Sequence, residues 1–143
     1  MKITKTIIGT LAGTIVYFVV GWILFEFILG SYTNANTTQI AGFKKNEQEA
    51  SVIMLIVSCT SYALLLTSLM NYWIKISLNF KEGFKIGAVV GLLVATMTDT
   101  YWYSTSHFYN NARPMILDII SGSITVGIMG GVIALVLFYL KDK

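Results

Sequence analysis

An all-α, integral membrane four-helix bundle is the fold this sequence predicts, and three observations predict it. Of the 143 residues, 55% are hydrophobic and 12% charged, about half the share of roughly 25% in an ordinary soluble domain. Mean hydropathy is +0.70, so too little polar surface exists to cover a soluble globule of this length. The apolar residues fall into four continuous runs, each long enough for the roughly 20 residues that cross a bilayer. None alternates as a membrane-barrel strand of about ten residues does. The whole chain, residues 1–143, reads as one transmembrane domain.

The first run covers about residues 6–29, TIIGTLAGTIVYFVVGWILFEFIL. It is longer than the core of a secretory leader, and no small-residue cleavage site follows, so it reads as an uncleaved span. The second run covers about 51–74, the third about 84–106 and the fourth about 114–140. Pro114 suits the first turn of the fourth helix, where a missing N–H costs nothing. The connection between the first two spans opens with the turn-rich GSYTNANTTQ (30–39). It closes with IAGFKKNEQEA (40–50), which suits a short helix on the membrane surface.

Four spans put the N-terminus, the second loop and the C-terminus on one side. That side carries Lys2, Lys5, Lys75, Lys81, Lys85, Lys141 and Lys143, against Lys44, Lys45 and Arg113 on the other. The positive-inside rule then places both termini in the cytoplasm. The chain reads as bacterial, which makes the expected location the cytoplasmic (inner) membrane, crossed in multiple passes.

The net charge of +3 comes without a basic cluster, so nucleic acid is not an expected partner. A single Cys59 makes no disulfide framework. One histidine and one distant cysteine do not make a zinc site, and no metal or cofactor is expected. No P-loop, CxxC, HExxH or nucleophile elbow occurs, so the expectation is a protein that is not an enzyme.

In lipid, helices associate where small residues let backbones approach. The third span has Gly83, Gly87, Gly91 and Ala95 at intervals of four; the first has Gly9 and Gly13; the fourth has Ser123, Gly127 and Gly131. The third and fourth spans should therefore be the tightest pair. The second span offers Ser58, Ser61, Thr67 and Ser68, which can bond across helices or back to their own carbonyls.

Continued by fours, the third-span ridge runs from Ala95 into Asp99, Tyr103 and His107. Acids inside a span are normally paired, protonated or exposed to a water-filled cavity, and are functional candidates by default. Three occur: Glu26, Asp99 and Asp118. At about 1.5 Å per residue, Glu26 and Asp118 lie roughly 13 Å from their span midpoints and Asp99 roughly 6 Å, all toward the outer side. Arg113 is the nearest basic candidate for Asp118. Trp22, Phe25, Phe27, Tyr101, Trp102, Tyr103, Phe108 and Tyr109 surround this level, with His107 beyond. Two readings stay open for these rings: an interfacial belt, or an outward vestibule that holds a cation through charge and ring faces.

The stretches EGFKIGAVVGLLVATMTDTYWY and LDIISGSITVGIMGGVIAL resemble the third and fourth spans of small four-span bacterial membrane proteins of the domain-of-unknown-function type. Asp99 and Asp118 fall on that pattern's two acidic positions. GTIVYFVVGWILFEFILG is similar to the Gly-Trp entry of such families, without the Tyr-Ser-Pro that some members carry after the Trp. DTYW stands where another branch has Asp-Leu-Thr-Asn. The resemblance implies the fold and the two acids, and no activity.

Short loops, no soluble domain and many packing ridges favour a non-enzymatic accessory or assembly component. Its partners would be membrane lipid and other membrane subunits, or a second copy through self-association. The alternative is a small transporter or binding protein for a cation or a proton-coupled solute, with Asp99, Asp118, Glu26, Tyr103, His107, Trp22 and Trp102 at its pocket.

Overall fold

Long apolar runs away from water can satisfy their backbone groups only within themselves, and the helix does so. The computed structural model describes residues 2–40, 45, 49–73 and 79–140, and the apolar runs among them are helical. Helix α1 is Lys2–Trp22 and widens into a π-helical stretch, Ile23–Ile28; α2 is the short Gly30–Asn36. Helix α3 is Val52–Ser68 with a π-helical end, Leu69–Trp73; α4 is Phe80–Thr105 and α5 is Ala112–Tyr139. Three starts are capped by side chains: Ser51 accepts from the Met54 N–H, Asn79 from Glu82 and Asn111 from Arg113. Each supplies an acceptor for an N–H that the helix itself leaves free.

Among the described residues, three helices are long and apolar enough to cross a membrane: Lys2–Ile28, Val52–Trp73 and Ala112–Tyr139. The expected third span forms as α4, 26 residues long, but it falls outside that set. Its C-terminal third is diluted by Asp99 and a run of hydroxyls. Those hydroxyls turn back on their own helix. Thr98 donates to the Val94 carbonyl (2.5 Å), Thr100 to Thr96 (2.6 Å), Ser104 to Thr100 (2.7 Å) and Thr105 to Tyr101 (2.8 Å). A back-bonded hydroxyl presents mostly its methyl or methylene outward.

The long helices run alternately up and down, and α5 lies at the centre. Its Val126, Met129, Ile133, Ala134 and Leu137 make the core with Ala63, Leu66 and Met70 of α3. The closest approach is α4 on α5. A Cβ on Gly83 would overlap the Gly130 carbonyl, and one on Gly87 the Val126 carbonyl; at Gly91 it would meet the Val126 side chain at 2.7 Å. Ala95 continues this seam against Gly122. On the other side, Gly9 receives Thr67, and Gly13 receives Ile133 and Ala63. The fourth-span ridge behaves differently from the sequence pattern. Gly127 lies beside Gly87, whose added Cβ would meet the Gly127 Cα at 3.1 Å, but the open sides of Gly127 and Gly131 are hollows filled by the Phe84 and Phe80 rings of α4. Ser123 meets α4 by donating to the Ala88 carbonyl (2.9 Å).

Two further expectations change. The turn-rich stretch 30–39 is helical over its first seven residues, because α2 continues the π-helical end of α1 with a single residue between them. The second-span hydroxyls divide. Ser61 back-bonds to Val57 (2.8 Å), whereas the fully buried Thr67 has no hydrogen-bond partner among the described residues. The surface helix expected over 40–50 lies largely outside the described residues.

Candidate functional site

Below Gly91, α4 and α5 touch through their backbones. Above Ala95 the α4 ridge continues as Asp99, and a larger residue cannot sustain that approach. A cavity of about 180 Å³ opens there. All four long helices wall it: Tyr17 and Phe25 from α1 and its extension, Tyr62 from α3, Asp99 and Thr98 from α4, Asp118 and Gly122 from α5. Tyr17 and Tyr62 meet edge to face at 5.4 Å, a favourable arrangement of ring quadrupoles. The lining includes no basic side chain.

A loop roofs the acids. Tyr109 donates its phenol hydroxyl to Asp118 Oδ2 (2.9 Å) and lies within electrostatic reach of Asp99. Two loops hold it there. Thr37 and Tyr109 form an antiparallel bridge, Thr38 N–H donates to the Phe108 carbonyl (2.8 Å), and Asn110 N–H to the Asn36 carbonyl (3.1 Å). The Thr38 hydroxyl adds a bond to the His107 carbonyl. Burial first, and then the Asp118 carboxylate, push the Tyr109 phenol above its ordinary value of 10.0, so it remains a donor at neutral pH.

The structure thus brings Asp99 and Asp118 to one cavity and leaves the other candidates apart. Glu26 is exposed, and its neighbour Phe25 lines the cavity in its place. Trp22 is exposed and packs edge to face on Phe27 (5.2 Å); Tyr103 is exposed. Trp102 and His107 line a separate apolar pocket of about 230 Å³ with Thr38 and Phe108. Arg113 does not serve Asp118. Five residues along a helix is a rotation of about 140°, so Arg113 faces a different surface, with Tyr32, Ile116, Leu117 and Ile120. Tyr17 and Tyr62 are not among the expected site residues, and Tyr109 is expected only as one of the surrounding aromatics. A phenol in the middle of each of the first two apolar runs, away from any interfacial belt, was the available signal; for Tyr109 there was none beyond its place in the aromatic loop.

Two carboxylates and three aromatic rings around a small cavity, with the Tyr109 phenol bonded to one of the acids, can hold a cation by charge and by ring faces. Among the described residues, no group of three or more His, Cys, Asp or Glu gathers to hold a metal ion. The oxygen-only donor set suits hard ions or ammonium groups rather than transition metals. The fold and this pocket define a helical protein with apolar helices of membrane-spanning length. Comparison with family models, curated proteins and solved structures returns no match for this chain.

Proposed function

We propose that this chain is a four-span, non-enzymatic protein of the bacterial cytoplasmic membrane, with both termini inside. In this reading it binds a small cation, or the cationic end of a small solute, between Asp99 and Asp118. One observation carries the reading: the two acids share one cavity walled by all four long helices, and Tyr109 donates a hydrogen bond to one of them. Uncompensated negative charge at this depth is costly, and a cation or a proton removes that cost. The cavity is smaller than the roughly 300 Å³ lower bound for drug-sized ligands, which points to an alkali ion or a small ammonium. The fourth span is supported by the length of α4, by its backbone contact with α5 and by its back-bonded hydroxyls. The resemblance to four-span families points the same way.

The test is thermal unfolding in dodecyl maltoside at constant ionic strength, exchanging the bulky N-methylglucamine cation for sodium, potassium or methylammonium. Binding to the folded state raises the midpoint by mass action. The expected result is a cation-specific rise in the parent protein that disappears in Asp99→Asn/Asp118→Asn. Identical midpoints in all salts, or the same rise in the double variant, overturn the binding reading.

The accessory reading is favoured by a different observation. Residues 52–57 of α3 are exposed on every side of the helix, at 47–70%, so the first third of α3 is little covered by the other described residues. A partner subunit or a second copy would cover it. Native mass spectrometry of protein gently extracted from its own membranes separates the cases: a stable larger assembly supports this reading, and a monomer with a small adduct supports cation binding.

A further inference from the structure

The fourth helix carries a second polar feature, away from the acidic cavity. Arg113, in the first turn of α5, borders a groove of about 410 Å³ with Tyr32, Ile116, Leu117 and Ile120. Positions 113, 116, 117 and 120 follow the i, i+3, i+4, i+7 spacing of one helix face. That face turns outward: Arg113, Ile116 and Ile120 are exposed. The arginine side chain has no ion pair or hydrogen bond among the described residues; only its backbone N–H is engaged, by Asn111. Tyr32 of α2 forms the opposite wall. In a spanning α5, Arg113 stands at headgroup level, and Ile116 to Ile120 lie roughly 5 to 10 Å deeper at about 1.5 Å per residue. The adjoining helix N-terminus adds positive potential.

We propose that this groove is a binding site for one anionic phospholipid of the outer leaflet, its phosphodiester at Arg113 and Tyr32 and an acyl chain along Ile116, Leu117 and Ile120. The occupant follows from charge and depth together. An unpaired guanidinium calls for an anion, and its planar fork matches a phosphate. The apolar stripe directly beneath calls for a hydrocarbon chain in the same molecule. A free phosphate would satisfy the arginine and leave the stripe without a role. The site rests on the reading of α5 as a span and is independent of the acidic cavity.

The experiment is native mass spectrometry of the full chain in detergent micelles, titrated with phosphatidylglycerol or phosphatidylcholine. The expected result is preferential retention of phosphatidylglycerol. Arg113→Gln should weaken it roughly fivefold, the share of one interfacial arginine, and Arg113→Lys should restore most of it. Ile120→Trp, which fills the groove and keeps the arginine, should weaken it as well. Equal retention by Arg113→Gln overturns the site, and so does millimolar inorganic phosphate competing while Ile120→Trp binds normally, which marks a free-anion site. Asp99→Asn should bind lipid as the parent does, so loss of cation dependence and loss of lipid are read separately. A reporter fused after Asn110 checks the span itself: an inside location removes the outer-leaflet premise, whatever the lipid result.

Discussion

Tyr109 ties the acidic pair to the loops, and its chemistry has a definite sign. The fold favours the neutral phenol, raising it above its ordinary value through burial and the Asp118 carboxylate. Its contribution to stability is therefore complete below about pH 10, the unperturbed tyrosine value, and is lost as pH climbs from there. Tyr109→Phe should lower the unfolding midpoint at pH 7 and flatten its decline above about pH 10, measured in detergent from pH 7 to 11. An unchanged alkaline decline would place its source elsewhere. The substitution leaves a carboxylate oxygen without its donor, which costs more than the bond alone contributed.

At the scale of the element, the α4–α5 seam is a backbone contact, and its tolerance differs from residue to residue. A methyl on Gly87 overlaps the Val126 carbonyl, which belongs to a helix and cannot turn aside; a methyl on Gly21 meets nothing within 4 Å. Gly87→Ala should cost about 1–3 kcal/mol, the range for overpacking, and lower the midpoint by roughly 5 °C or more. Gly21→Ala should leave it unchanged or slightly raise it, since alanine restricts the unfolded chain. The seam also shapes the site. Because the two helices are drawn together from Gly83 to Gly91 and held apart above, the cavity forms where the glycine line ends. Gly87→Ala should therefore weaken cation dependence as well as stability, though it lies a full three turns from Asp99.

Across the whole molecule the two ends differ. The end bearing both termini is packed around α5, while the opposite end is more open, with the N-terminal part of α3 and the C-terminal part of α4 exposed and the acids between them. The loop bridge between Thr37 and Tyr109 is what closes that open end over the carboxylates. The topology has a direct check. Reporter fusions should read inside at the C-terminus and after Asn79, and outside after Asn110. An outside C-terminus would reverse the orientation drawn from the lysines and place the acidic cavity on the inner side.

The class of the molecule and most of its packing contacts are legible in the order of residues alone. Composition and run length require apolar helices, and residue size alone says which positions admit close contact, so Gly9, Gly13, Gly83, Gly87, Gly91 and Ala95 could be read as contact points in advance. The order of residues also marks Asp99 and Asp118, because an acid in an apolar run is conspicuous without any structure. Which side chains meet them depends on how the helices assemble. Arg113 is near Asp118 in sequence and turned away by the helical repeat; Glu26 is as conspicuous an acid in its run but is exposed. Tyr17, Tyr62 and Tyr109 come from two other helices and a loop. Their meeting depends on helix rotation and on a bridge between distant loops, and neither leaves a local pattern. The partner of Gly87 belongs to the same category: a small residue shows that something approaches, while the crossing of two helices decides what.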